Sequence, residues 1–338
     1  MAVAKKTTVK STDLSKRKLT KNNNSKNVWV FVGASIVILV LVGVLAGNFT
    51  TLKDIFAGMR YQPSDEMAKI RDGLELTDKG IRVFNAVQPE LLEKEEFNQE
   101  CREQTNESAI LGCYRDDKIY VYNIIDDELS GIRELTTAHE LLHAVYHRMT
   151  DGEKKHWSEI LKDVYNANSA ILGPEIEVYN DSEKAEELYV RAGTEIWDLP
   201  DELERHFEEI FENQNKVVDY YNSYIKVFLE IEKKMDELLL KINDLTKEIE
   251  TKSTEYKNRA EKLNTSINEF NECAKTLDCF SSNAEFNAQR GDLTGEQNAL
   301  SAMYDDINHM INEHNSLVSE YNENVLHGQT LNKTINSL

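Results

Sequence analysis

Read for its hydrophobic and polar positions, the chain falls into stretches of different rhythm. Met1 to Lys26 has almost nothing to bury and is rich in Ser, Thr, Asn and Lys, which predicts a disordered segment over residues 1–27. Val28 to Gly47 is twenty residues without a charge. As a helix it is long enough to cross about 30 Å of hydrocarbon, so residues 28–47 read as a membrane span. Beyond Pro200 the pattern changes: from Asp201 to about Phe270 there is neither Pro nor Gly. Met235, Leu238, Ile242, Leu245, Ile249, Tyr256, Leu263, Ile267 and Phe270 follow mostly seven-residue spacing with a three-four split, and Leu300, Met303, Ile307, Met310, His314, Leu317 and Tyr321 repeat it. This predicts an antiparallel coiled-coil hairpin within residues 213–338, joined by a connection over about Asn271 to Leu293. Arms of about 35 to 40 residues would span about 50 to 60 Å. His314, on the seam, reads as structural.

Between span and hairpin the signals are shorter. Pro63-Ser-Asp followed by Met67, Ile70 and Leu74 predicts a helix, and Thr77 to Gly80 a turn before a strand over Ile81 to Val87. Ala109 to Tyr114 and Lys118 to Ile125 read as a hairpin turning at Arg115-Asp-Asp117. A long helix is expected from Asp127 to Met149. Another runs from Asp151 to Asn168 with Trp157, Ile160, Leu161 and Val164 on one side, broken by Gly173-Pro174. Asp181-Ser182 would cap a helix over Glu183 to Ala192 that stops at Gly193. The fold class is α+β, mostly helical: a small domain with a short antiparallel sheet over residues 48–212, preceded by one transmembrane helix and followed by the hairpin.

Charge adds direction to this order. Residues 1–27 carry seven Lys and one Arg against one Asp, while the whole chain has a formal net charge of −21. The basic flank stays in the cytoplasm by the positive-inside rule, so the chain after Gly47 is expected outside it, held by an uncleaved anchor. The rival is a signal peptide processed near Val44-Leu-Ala46. So acidic an exported part makes nucleic acid an unsuitable partner. The four cysteines form two close pairs, Cys101 with Cys113 and Cys273 with Cys279. In an oxidising compartment they read as two local disulfides, the second stapling the tip of the hairpin. Four thiolates on one zinc would suit neither the spacing nor the separation.

The candidate chemistry lies in Thr137-Ala-His-Glu-Leu-Leu-His-Ala-Val145. Residues four apart on a helix share a face, so His139 and His143 can present two ring nitrogens to one metal ion. Glu140 stands beside them as a carboxylate free to move protons. Every residue flanking these three is uncharged, as desolvation beside an ion favours. The plain alternative is a surface helix with incidental histidines. With these residues the stretch Ile119 to Phe211 resembles the zincin-type zinc metallopeptidases.

That resemblance implies Zn2+, a peptide substrate, a zinc-activated water with Glu140 as general base, and an edge strand over Ile119 to Ile124 beside the cleft. It also requires a third ligand. A His six residues past the motif is absent, since Met149 stands there and Tyr146 replaces the accompanying Gly. His147 lies two turns from His139 and suits a supporting role. The gluzincin-like arrangement takes a Glu from a later helix. Glu187 is the first choice, flanking the stripe Ala185, Leu188 and Ala192 with Arg191 one turn on to hold it; Glu195 and Glu186 are the alternatives, and a solvated acidic face is the plain reading of all three. The Asn-Glu-x-x-x-Asp pattern is not present. Tyr189 and His206 are unranked candidates for stabilising an oxyanion, with packing and surface as their ordinary roles.

The expectation is a single-pass, membrane-anchored, extracytoplasmic zinc endopeptidase. The hairpin would serve a partner in the cell envelope or self-association. Two rivals differ in class: a non-enzymatic anchored coiled-coil adaptor with a structural or relic motif, and a zinc hydrolase acting on a non-protein envelope substrate.

Overall fold

A computed structural model describes residues 49–101, 110–173, 176, 179–276 and 279–336. The basic segment over residues 1–27 and the apolar segment Val28–Gly47 lie outside the described residues. Among the described residues no helix is long and apolar enough to cross a membrane. The chain divides into Met1–Lys53 and a second compact unit, Asp54–Leu338.

The described chain is mostly helical around a three-stranded sheet. In order come α1 (Phe49–Gly58), α2 (Asp65–Gly73), α3 (Asp78–Val87), β1 (Glu90–Leu92), α4 (Lys94–Cys101), β2 (Gly112–Arg115), β3 (Lys118–Tyr122) and α5 (Ile132–His147). Then follow α6 (Asp151–Ala167), α7 (Ser169–Leu172), α8 (Asp181–Glu195), α9 (Asp201–Phe207), α10 (Gln214–Ala274) and α11 (Asn283–Ile335).

The predicted strand over Ile81 to Val87 is the helix α3. Alternating Ile81, Val83 and Val87 fit a strand, but Gly80, Val83, Phe84, Ala86 and Val87 bury together, which is helical spacing. Thr77 accepts a hydrogen bond from the Gly80 N–H, so the expected turn is a helix cap.

The expected β-hairpin forms, with Cys113 opposite Tyr120 and Arg115 opposite Lys118. The sheet, however, is mixed and not purely antiparallel: β1 runs parallel to β3, with Leu91 beside Val121. The order β1-β3-β2 makes β3 the central strand. Ile119 to Ile124 is therefore not an edge strand, because Glu90 to Leu92, a segment too short to carry a periodic signal, pairs with its second side. The edge that approaches α5 is β2.

Sheet, α2, α3, α5, α6, α8 and α9 share one apolar core that includes Phe84, Ile119, Leu141, Leu142, Leu161, Tyr189 and Phe207. The first turns of α10 enter it through the fully buried Val217. A second cluster sets Ile124, Leu129 and Ile132 against Leu331 and Ile335 of α11, with Tyr224 and Phe228 beside them. Beyond this base α10 and α11 pack along each other. At 61 and 53 residues, each arm is about 80 to 90 Å long. The arms exceed the expected length at both ends: α10 already starts at Gln214 and α11 runs on to Ile335, while at the tip α10 continues to Ala274 and α11 begins at Asn283, so the connection is far shorter than Asn271 to Leu293. Ser282 accepts from the Glu285 N–H at that start, a cap the heptad pattern does not register. Both cysteine pairs are bonded, with Cα atoms 5.9 Å apart at Cys101–Cys113 and 5.4 Å at Cys273–Cys279.

Candidate metal centre

Helix α5 carries the motif as a core helix. It starts later than Asp127 because Gly131 takes a left-handed φ of 90°, where a Cβ would also meet the Tyr220 ring at 2.8 Å. Thr137, Ala138, Leu141, Leu142 and Ala144 are fully buried. Their burial leaves His139 and His143 on the one open stripe, with side chains 25% and 17% exposed.

Helix α8 faces that stripe. It begins at Asp181, two residues earlier than expected, and just before it the Asn180 side-chain Oδ1 accepts from the Glu183 N–H at 3.2 Å while the Glu183 carboxylate accepts from the Asn180 N–H. Nor does Gly193 end it. The helix continues to Glu195. A Cβ at Gly193 would stand 2.5 Å from Leu142 and 2.7 Å from Phe207, so this glycine serves the close approach of α8 to α5 and α9.

The approach brings Glu187 to the histidines. His139 Nε2 and His143 Nε2 lie 3.3 Å apart, Glu187 Oε1 is 3.5 Å from His139 Nε2, and Glu187 Oε2 is 3.5 Å from His143 Nε2. The three residues make the one such metal-competent group among the described residues. Four-coordinate zinc with bonds of about 2.0–2.2 Å sets its ligand atoms roughly 3.3–3.6 Å apart. The two imidazole nitrogens meet this spacing, each has one of the two Glu187 oxygens at a matching distance, and one donor atom from each residue lies within 4.8 Å of the other two; a set of two imidazoles and a carboxylate suits zinc chemically.

The alternatives are placed elsewhere. Glu195 is held by Arg191, whose Nε and Nη2 donate to its two oxygens at 2.9 and 3.0 Å; further donation to the Leu172 and Ile171 carbonyls fixes the guanidinium. Arg191 thus forks onto Glu195 at its i+4 position, while its charge also acts on Glu187 and helps to hold that carboxylate down. Glu186 Oε1 lies 2.8 Å from His143 Nδ1 and 3.0 Å from His147 Nε2. It meets the far nitrogen of one candidate ligand, the arrangement that fixes a metal-binding imidazole's tautomer and direction.

Electrostatics follow from these contacts. Burial pushes His139 down to about 4 against the pull of Glu187. For His143 burial also opposes charge, yet the bonds to Glu186 and Glu187 outweigh it and raise the ring to about 10. Burial likewise disfavours both carboxylates, but the histidines hold Glu186 and Glu187 down to about 2. These contacts favour charge on His143, whose two ring nitrogens face Glu186 and Glu187, and disfavour it on His139.

Glu140 is buried between α5 and β2. A Cβ at Gly112 would lie 2.7 Å from its Cγ and 2.8 Å from its Oε1, so only glycine there lets the strand approach the carboxylate. Neighbouring Cys113 ties this strand to α4 through its disulfide. The role of Gly112 was not drawn from the sequence, though a lone glycine in a strand is a known signal of close approach. Tyr189 and His206 are joined to each other at 2.9 Å, with Tyr189 fully buried among Tyr146 and Phe207. Neither bonds to the histidine cluster among the described residues. His147 is half exposed, tilted against the Tyr114 ring at 5.3 Å between centroids, and bonded to Glu186.

Comparison with protein-family models, with curated proteins and with solved structures finds no match for the chain.

Proposed function

We propose that the chain is a membrane-anchored, extracytoplasmic zinc-dependent endopeptidase, with His139, His143 and Glu187 as the metal ligands. The observation that carries this reading is that His139 Nε2 and His143 Nε2, 3.3 Å apart, each have an oxygen of the Glu187 carboxylate at 3.5 Å, beside the buried carboxylate of Glu140. Zinc, when bound, supplies Lewis-acid polarisation of the scissile carbonyl and draws the pKa of water down toward neutrality. Glu140 takes the proton of the attacking water and hands it to the leaving amine. Glu186 directs the His143 ring, and the strand at Gly112 keeps Glu140 from swinging away.

The test begins with metal content. The purified chain should carry about one zinc, and Glu140→Gln should retain it while losing hydrolysis of unfolded proteins by a factor of about 10²–10⁴. His139→Ala, His143→Ala and Glu187→Ala should lose the metal under identical purification. A chain that emerges metal-free and refuses zinc would leave the anchored coiled-coil adaptor as the better account. Zinc-dependent cleavage of cell-wall fragments but not of proteins would move the substrate to the non-protein class.

A further inference from the structure

Helix α1 is built the wrong way round for a helix in water. Its Asp54 is 4% exposed, while Ile55, Phe56 and, just past the helix, Met59 are 45%, 71% and 71% exposed. At about 100° per residue these three side chains fall on the side of the helix away from Asp54. A carboxylate turned inward and apolar side chains turned outward reverse the usual surface pattern, and clustered exposed apolar groups mark a contact surface.

The inner side is firmly placed. Arg148, at the end of α5, donates from Nε and Nη2 to Asp54 at 3.1 and 3.0 Å, and from Nη1 to the Ala144 carbonyl at 2.9 Å. Gln88 donates to the Ala57 carbonyl at 3.0 Å, and a Cβ on Gly58 would meet Asn85 at 3.0 Å. Rotation of α1 to bury Phe56 would expose Asp54 and break its pair with a half-buried arginine. The outward face is a fixed feature of this unit.

We propose that Ile55, Phe56 and Met59 lie in the headgroup and upper acyl region of a lipid bilayer. The chemistry of the occupant follows from position: the twenty uncharged residues Val28–Gly47, read as a span, are separated from the start of α1 by Asn48 alone. A face a few residues beyond a span stands at the depth where Phe and Met side chains are accommodated at an interface. A protein groove would satisfy the same side chains but would not account for their place directly after that segment. The proposal rests on the span and not on the metal centre.

The experiment uses the full chain in its own membrane, with a benzophenone amino acid at Phe56, at Met59 or, as a control, at the exposed Glu159 of α6. After irradiation, mass spectrometry should find lipid adducts at positions 56 and 59 about tenfold above position 159. Crosslinks from 56 and 59 to another protein or to a second copy would assign the face to a protein partner and overturn the proposal. Absence of lipid adducts above the control level would overturn it too. Both probes replace side chains that are already exposed, so the inner contacts through Asp54 and Gly58 remain. Zinc content measured on the same preparations reports separately on the metal reading.

Discussion

The domain around α5 and the hairpin of α10 and α11 are both helical, yet they are held together by different means. In the domain, α8 reaches α5 because Gly193 has no side chain, and the contact buries an arginine–glutamate pair together with Tyr189 and Phe207. In the hairpin a single seam of side chains, of which Leu238, Leu263, Leu300, Ile307 and Met310 are buried, runs along two arms whose other faces are wet. Its cross-seam ion pairs, among them Lys234–Glu320 at 2.8 Å, Lys252–Asp306 at 2.5 Å and Arg259–Glu296 at 2.9 Å, are partly exposed. The domain concentrates its stability in a few non-local contacts, whereas the hairpin spreads it over many equivalent ones.

This difference sets the size of mutational effects. Arg191→Ala leaves Glu195 as a buried charge without its counter-ion and also strips the Leu172 and Ile171 carbonyls of a donor. The expected cost is about 3–5 kcal/mol, read as a fall in the urea midpoint of the domain, with the hairpin's own helix signal retained. An unchanged midpoint would mean that Glu195 finds water, and that the domain core is looser than its burial indicates.

Gly193→Ala follows in size. Its methyl group must push aside Leu142 and the Phe207 ring, costing about 1–3 kcal/mol. Because the same movement carries Glu187 away from His139 and His143, zinc affinity should fall as well. Glycine to alanine on the hairpin at Gly291, where nothing lies within 4 Å, should instead stabilise its helix slightly. Equal effects at the two glycines would break the comparison.

The two regions also differed in how far they could be read in advance. The heptads of α10 and α11 are local and repeated, so the seam from Met235 to Phe270 was legible residue by residue. Only the ends escaped, because a cap such as Ser282 depends on one hydrogen bond and not on a rhythm. In the domain His139 and His143 are legible through their four-residue spacing and Glu140 through its place beside them, but their surroundings are non-local. Nothing in the run Glu183, Glu186, Glu187 tells which carboxylate turns toward α5; that depends on the phase of α8, set by its Asn180 cap and by Gly193 against Leu142. The misread strand over Ile81 to Val87 has the same origin, since seven residues fit both periods until Phe84 is known to be buried. Neither Gly112 beside Glu140 nor Asp54 beside Arg148 follows from spacing at all.

A pH titration sharpens the contrast further. Burial holds the His206 ring, which lies against Trp157 and Tyr189, down to about 4. In the unfolded chain it takes a proton near 6.5. Between these values the unfolded state binds more protons, so the domain loses stability as pH falls from about 6.5 to 4. The hairpin has no buried histidine of this kind among the described residues, and its melting should respond less over that window. Replacing His206 with Gln, which keeps a polar partner for the Tyr189 hydroxyl, should reduce the domain's response, with His139, also held down to about 4, supplying part of what remains.

The smallest effect is expected where the hairpin looks best connected. Arg259 donates through Nε and Nη2 to both oxygens of Glu296, at 2.9 and 3.0 Å, and lies 3.5 Å from Glu255 on its own helix. The geometry is bidentate, but both side chains are more than a third exposed, so water competes for every one of these contacts. Arg259→Gln should therefore move the hairpin's melting only marginally. Whatever difference it makes should vanish as salt rises to about 1 M, where screening acts over about 3 Å. Melting curves of the wild-type chain and the variant at low and high salt measure this directly. A large, salt-independent loss would show that this pair, and not the apolar seam at Leu263 and Leu300, fixes the register of the arms.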